Sequence, residues 1–347
     1  MLYWMAATSK HLYPPYKIAA LVKLVLERGV PTAAALHGTG LNAQELDSAA
    51  CLTSIEQYLI VCRNAIRLSQ DRSLAFRLGT RLHLADHGMY GLLLLSCASV
   101  RDYCRNAVKY QLLATPTMSV DSAEDDQHAV WILRDECMRE RPRDLRTFLV
   151  EQQVVQLTTH LRDVLGKPCR PTLARFAYPA PTHRAVYSEY LQCPCIFDWH
   201  RSEIRYPREI LAQVPYLANP LAVTTLQSIC DELIADIVAS LGFAGQVYQM
   251  LRHLSDPGAN MKAVASSLKM TDRTLRRRLA DEGTSFSSIS RLVKYSVATR
   301  HLKSSEASIE QVAAFAGFSD PANFRRAFIR WTNMTPGQFR RLQHRSA

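Results

Sequence analysis

Hydrophobic residues recur at helical spacing along most of this chain. Tyr16–Arg28 sets Leu21, Val22, Val25 and Leu26 on one face and stops at Gly29. Ser54–Ser69 does the same with Ile55, Leu59, Cys62 and Ile66. The pattern runs on through Leu74, Leu78 and Leu82 over Asp71–Ala85, breaks at His87-Gly88-Met89-Tyr90-Gly91, and resumes over Val100–Leu113. The period then falls to two. Thr117–Val120 and His128–Arg134 read as strands joined across the acidic turn Asp121–Asp126. Arg146–Leu165 is helical again, with Val150, Val154, Leu157, Leu161 and Val164 inward and Gly166 behind it. Thr172–Tyr178, Ile196–Trp199 and Ile204–Tyr206 are further strand candidates. Leu221–Leu241 is a long helix, and Gly242–Gly245 the expected hinge after it. The first part of the chain is therefore α+β, behind a leader over residues 1–15.

Beyond the hinge the elements are short, helical and basic. Met261–Leu268 places Val264, Ala265 and Leu268 on one side. The next helix lies within Met270–Phe286. Thr271 is its N-cap, because a threonine hydroxyl accepts an unpaired first-turn N–H. Leu275 and Leu279 face inward, Arg273, Arg276 and Arg277 outward, and Gly283 ends the helix. Two short helices and a brief turn, the second helix basic, describe a helix-turn-helix. A run such as Arg276-Arg277-Arg278 is by itself often only a solvated face. A repeat changes that. Ile309–Ala316 copies the first helix, with Val312, Ala313 and Ala316 in matching roles though not in strict register. Gly317-Phe318-Ser319 makes the turn, Asp320 replaces Thr271 as cap, and Pro321 sits at the first helical position, where its missing N–H costs nothing. At an offset of 49, Phe324, Arg325, Arg326 and Phe328 fall on Leu275, Arg276, Arg277 and Leu279. Phe286–Lys303 reads as the helix between the repeats, with Ile289, Leu292, Val293, Val297 and Leu302 apolar.

The blocks VASSLKMTDRTLRRRLADEGTSF and SIEQVAAFAGFSDPANFRRAFIRWTNMTPGQFRR resemble the DNA-binding domain of the AraC/XylS family of bacterial transcription regulators. The resemblance covers about residues 245–347. It implies an all-α domain with two helix-turn-helix units, about 261–282 and 309–331, joined by a linker helix and entering successive major grooves. Carried over by position, it implies base readers at Arg273, Arg276 and Arg277 in the first unit, and at Ala322, Arg325 and Arg326 in the second, with Thr271, Thr274 and Asn323 beside them. Arginine suits the role because its fork can bond guanine O6 and N7 together; Ala322 offers only contact with a thymine methyl. Two positions depart from the family. Lys269 stands where glycine is common in the first turn, and would cost roughly 1 kcal/mol if that turn needs positive φ. Asn333 replaces the usual glycine before Met334-Thr335-Pro336, a milder change.

The stretch LAFRLGTRLHLADHGMYGLLLLSCASVRDYCRNAVKYQLLATP resembles the N-terminal domain of one subgroup of that family, the one labelled arabinose-binding and including ornithine-utilisation and virulence regulators. This implies an effector or dimerisation domain over 16–220, a helical linker and hinge over 221–244, and the DNA-binding domain over 245–347. The regular strands of a jelly-roll sensor are absent from the pattern.

Charge fits this division. Of 42 Lys and Arg, 17 lie from Met250 onward, with 7 of the 31 Asp and Glu, so the last 98 residues carry +10 of the net +11. That is the footprint of a nucleic-acid module joined to a neutral one. No run approaches the ~20 apolar residues of a membrane span. The start lacks a secretory pattern. Nine cysteines at irregular spacing, an odd number, then suggest reduced thiols in a bacterial cytoplasm.

His83 and His87 would share a helix face if the helix continued, but lack an intervening glutamate or third ligand for zinc. Cys193-Pro194-Cys195 is not a C-x-x-C pair and has too few partners for a metal. Pro168-Cys169-Arg170 resembles the transfer motif of DNA-repair methyltransferases, which also carry AraC-like units, but Arg170 replaces their activating histidine and their four-cysteine zinc array is missing. The apolar run Gly91–Leu95 could line a ligand pocket or be plain core. The expected function is a sequence-specific transcription regulator, read as an activator and not an enzyme. It needs no cofactor or metal. Its expected partners are double-stranded promoter DNA, RNA polymerase, a small-molecule effector and a second copy of itself, with no membrane. The alternatives are the repair methyltransferase, with Cys169 as nucleophile, and a non-specific DNA-binding module.

Overall fold

The computed structural model describes residues 10–48, 50–135, 138–240, 242–253, 260–282, 284–304, 307–332 and 335–344. Gly283, Asn333, Met334, Leu241 and the first part of the expected leader lie outside the described residues. So does the side chain of Leu292. The chain divides into two units, one ending at Ala235 and one running from Asp236 onward.

The first unit opens with helices α1 (Tyr16–Leu26), α2 (Thr32–Leu36), α3 (Ala43–Leu46), α4 (Ile55–Ser69) and α5 (Leu74–Arg81). The predicted apolar face of α1 is buried at Leu21, Val22 and Val25, while Leu26 is half exposed. Ser54 caps α4 by accepting from the Gln57 N–H, and Gln57 returns the bond to the Ser54 N–H. Next come α6 (Gly88–Ser96), α7 (Val100–Tyr110), β1 (Ser119–Glu124), β2 (His128–Arg134), α8 (Arg143–Leu165), β3 (Leu173–Arg175), α9 (Arg184–Leu191), β4 (Cys195–Ile196) and β5 (Ser202–Pro207). The five strands form one sheet in the order β1-β2-β5-β3-β4, antiparallel except for the parallel pair β3–β4. Helix α8 bonds to the sheet at Thr158, whose hydroxyl lies 3.0 Å from the Tyr206 hydroxyl on β5.

Three expectations need correction here. The helix over Asp71–Ala85 ends at Arg81, and a 3-10 turn, Leu84–His87, follows. His83 and His87 therefore share no helix face: His83 is exposed against Asp163, and His87 is buried. The stretch His87–Gly91 does not break the structure but opens α6. Burial of Tyr90, Leu93 and Leu94 outweighs the cost of its two glycines, about 1 kcal/mol each. The acidic turn Asp121–Asp126 is mostly strand: Ser119–Glu124 pairs fully with Ala129–Arg134. Its carboxylates are accommodated because partners stand ready, Arg134 for Asp121 and Arg101 for Glu124.

The expected long helix is α10 (Pro220–Ser240). Its first half belongs to the first unit: Gln227 Nε2 donates to Asn106 Oδ1 at 3.0 Å, and Lys109 pairs with Asp231 at 2.9 Å. The expected hinge Gly242–Gly245 is corrected too, since α11 (Phe243–His253) already begins at Phe243.

The second unit continues with α12 (Met261–Ser267), α13 (Asp272–Asp281), α14 (Phe286–Ser304), α15 (Ile309–Phe315), α16 (Pro321–Thr332) and α17 (Pro336–His344). Two apolar cores hold it. One gathers Val247, Leu251, Val264, Leu275, Leu279 and Ile289. The other gathers Leu302, Val312, Phe324, Phe328 and Phe339. Val297, midway along α14, packs against both.

Candidate nucleic-acid interface

Each repeat is a first helix, a tight turn and a second helix. In the first, Asn260 caps α12 by accepting from the Ala263 N–H at 3.0 Å. The turn brings Lys269 into the left-handed region at φ +52°, and Met270 N–H then donates to the Ala265 carbonyl at 2.9 Å. Thr271 caps α13 by accepting from the Thr274 N–H at 3.2 Å. In the second repeat Ser308 caps α15, Gly317 takes the left-handed turn position at φ +72°, and Phe318 N–H donates to the Ala313 carbonyl at 2.9 Å. The two carboxylate oxygens of Asp320 accept from the Ala322 and Asn323 N–H groups at 2.9 and 3.2 Å. The first helices and turns match at an offset of 48 and the second helices at 49, so the second turn is one residue longer. This is the slip in register that the sequence shows.

Burial divides α13 cleanly. Leu275 and Leu279 are inaccessible, while Arg273, Arg276 and Arg277 are exposed. On α16, Phe324 and Phe328 are inaccessible, while Ala322, Asn323, Arg325 and Arg326 are exposed. Thr271 is exposed at the cap and Thr274 half-buried beside it, their hydroxyls 3.0 Å apart. All the expected reading residues therefore sit at the start or on the open face of a second helix.

The matched arginines also make matched gestures. Arg276 Nε reaches back 15 residues to Met261 Sδ at 3.3 Å, and Arg325 Nη2 reaches back 15 residues to Glu310 Oε1 at 3.1 Å. Each lies over the start of its unit's first helix. Hydrogen bonds at the α15 N-terminus, with Arg325 beyond them, hold the Glu310 carboxyl below its ordinary range. Arg326 Nη2 donates to Asn323 Oδ1 at 2.7 Å, which aligns those two neighbours. Arg273 and Arg277 have no side-chain partner among the described residues, so their guanidinium groups are available to a ligand. Planar forks on open helix faces in a strongly basic segment suit guanine edges and phosphate oxygens. Arg278 differs: its guanidinium lies 5.3 Å from the centre of the Phe243 ring and supports the first core.

Sequence reasoning missed three supporting residues. Glu282, past the end of α13, accepts from the Phe243 and Ala244 N–H groups, both at 2.7 Å, and so fixes the start of α11. Lys294 on α14 donates to the Gly317 carbonyl at 2.8 Å and lies 4.6 Å from the Phe318 ring centre. Burial lowers its pKa. Arg340 Nη2 donates to the Ala307 carbonyl at 2.6 Å. All four bonds span at least 23 residues, beyond any local pattern.

The cysteine alternatives gain no support. Burial raises the Cys169 thiol above its ordinary range, opposite to what a nucleophile needs. Cys193 and Cys195 are free, half-buried thiols. Among the described residues no three or more His, Cys, Asp or Glu side chains cluster as a metal site, and no helix is long and apolar enough to cross a membrane.

Comparison with known proteins finds relatives for both parts of the chain. Residues 29–214 match the family described as the arabinose-binding domain of AraC transcription regulators, N-terminal, and residues 264–342 match a helix-turn-helix domain family. The chain is 28% identical over 334 residues to the ornithine utilization regulator of Pseudomonas aeruginosa, covering 95% of this chain and 96% of that protein. It is 26% identical to the regulator VqsM of the same organism, covering 77% and 83%. A shorter match, 42% over 84 residues, covers 24% of this chain and 28% of the urease operon transcriptional activator of Escherichia coli. Among solved structures, the transcriptional regulator CdpR of Pseudomonas aeruginosa matches at 26% identity with a TM-score of 0.41, covering 77% of this chain and 86% of that one.

Proposed function

The chain belongs to the AraC family of transcription regulators, and we propose that it reads promoter DNA through α13 and α16, placed in successive major grooves. Arg273, Arg276, Arg277, Arg325 and Arg326 are the proposed base readers, with Asn323 assisting and Ala322 against a thymine methyl. Thr271 and Thr274 contact the backbone. The observation that carries the reading is the repeated gesture of Arg276 and Arg325. Two arginines 49 residues apart occupy the same place on the open faces of two capped helices. Phosphate contacts from the basic surface supply salt-dependent affinity, and the arginines supply base choice.

The proposed division of labour is an effector and dimerisation domain over 16–220, a helical connection over 221–244 and the DNA-binding domain over 245–347. In the finer reading the protein is an activator that recruits RNA polymerase, acts as a homodimer in the cytoplasm and responds to a small molecule. The names of the ornithine regulator and the urease operon activator support regulation of metabolic genes.

The test is selection of binding sites from random duplex DNA by the full chain. Enrichment of two half-elements about one helical turn apart supports the reading. Equal competition by unrelated duplexes would instead identify a non-specific binder. Methyl transfer from alkylated DNA to Cys169 would identify the repair enzyme.

A further inference from the structure

We propose that the first unit holds a binding site for a small organic carboxylate, built around Lys17 on α1. This rests on reading that unit as an effector domain, and it names the effector's chemical class.

The site is a cavity of about 50 Å3 bordered by α1, α6, α7, α8 and the β1–β2 pair. That is several times the roughly 10–15 Å3 that one water requires. Lys17, Tyr103, Gln111, Gln153, Gln156 and His160 are among its polar lining residues, Trp131 is part of its apolar wall, and no Asp or Glu among the described residues lines it. Gln153 is half-buried.

Lys17 is 2% exposed. Its Nζ donates to the Thr115 carbonyl at 3.0 Å and lies 5.7 Å from the Tyr58 ring centre. An ammonium has three donors, and buried charges are ordinarily paired. Among the described residues Lys17 has no carboxylate partner. Burial brings its pKa down to about 7, so an arriving anion would restore the charge.

Tyr103 supplies the second observation. It is fully buried, lines the same cavity, and its hydroxyl has no hydrogen-bond partner among the described residues. A buried orphan hydroxyl costs about 1–3 kcal/mol unless something accepts from it. Both donors border the one cavity, and a carboxylate supplies acceptors for a hydroxyl and an ammonium alike.

Gln156 and His160 are already engaged with other groups. Gln152 Nε2 donates to Gln156 Oε1 at 2.6 Å, which leaves Gln156 Nε2 to face His87 Nε2 at 3.3 Å and His160 Nε2 at 3.2 Å. Both imidazoles must then accept at Nε2 and stay neutral, as their burial also requires. Thr115, which presents its carbonyl to Lys17, holds φ +45°. That is an outlying conformation for a β-branched residue, and such strain gathers at ligand clamps.

The experiment titrates the full-length protein with sodium acetate and sodium butyrate against sodium chloride at equal ionic strength, reading heat of binding and thermal unfolding. Butyramide is the uncharged control. The expected result is saturable carboxylate binding, weakened about tenfold or more in Lys17→Met and several-fold in Tyr103→Phe, with butyramide inert. Absence of saturable binding, or equal binding by folded Lys17→Met, overturns the assignment. Site selection on the same preparation separates the two readings. An enriched DNA motif without carboxylate binding sinks only the cavity; carboxylate binding without a motif supports the cavity and sinks the regulator.

Discussion

Lys269 and Gly317 occupy the same left-handed position in the turns of the two repeats, at φ +52° and +72°. Glycine adopts this conformation freely, whereas a residue with a Cβ pays roughly 1 kcal/mol. Lys269→Gly should therefore stabilise the first repeat by about 0.5–1 kcal/mol, and Gly317→Lys should destabilise the second by a similar amount. Hydrogen exchange of amides in the two repeats checks this; unchanged protection in both variants would remove the strain argument.

Arg276→Ala and Arg325→Ala should each lower specific DNA affinity by about 1–3 kcal/mol and relax base preference at one position. Arg278→Ala should leave base preference intact, because that side chain packs on Phe243. Competition between cognate and single-base-changed duplexes distinguishes them. Loss of discrimination in Arg278→Ala alone would reverse the assignment.

Glu310→Gln should strengthen DNA binding. Arg325 is held by the Glu310 carboxylate, which must give way before a base or phosphate takes its place. The gain is expected for every duplex sequence and should shrink with added salt. Weaker binding at low salt would show that Glu310 instead positions Arg325 for contact.

Glu282→Ala should destabilise the second unit by about 0.5–2 kcal/mol, because two first-turn N–H groups of α11 lose their acceptor. Gly242→Ala should act in the same direction. Gly242 has φ +79°, and an added Cβ would stand 2.5 Å from Glu282 Oε1. Denaturant midpoints of the full-length variants are the measurement, and wild-type values would refute the cap.

Lys17 makes stability depend on pH. Its folded-state pKa is about 7, below the ordinary 10.5, so between these values the unfolded chain binds more protons. Unfolding free energy therefore rises with pH across that window, and the destabilisation is fully present below it. Its neighbours stay silent there: burial holds His160 down at about 3 and His87 well below its ordinary value, and pushes Cys62 up to about 12. Relative to Lys17→Met, the wild type should gain on the order of 3 kcal/mol between pH 7 and 9.5. Parallel stability curves for the two proteins would place the ammonium in solvent.

The second unit was readable because its information is local. A cap, an apolar pair and an arginine pair fall within nine residues, twice, and the structure puts the caps and the apolar pairs where the spacing implied. The first unit was less legible. Asp121–Glu124 looks like a turn until Arg101 and Arg134 are seen beside it. Helix α6 depends on burial that no window of sequence reports. The clearest lost signal was Gln152, Gln156 and His160, a stripe at spacing of four along α8. All three are buried, on a helix enclosed on nearly every side, so a reading that sought only apolar inward positions passed over them.

Val297 belongs to both cores of the second unit, and this limits how such a protein can change over generations. Single substitutions on α13 or α16 can retune which bases are read while leaving the scaffold untouched. The interval between the two reading helices has no such gradual path. One residue inserted into α14 advances it about 1.5 Å and turns it about 100°, which swings Val297 out of one core or the other. New operator sequences are thus within reach of point mutation, whereas a new operator spacing demands that linker and both cores change together.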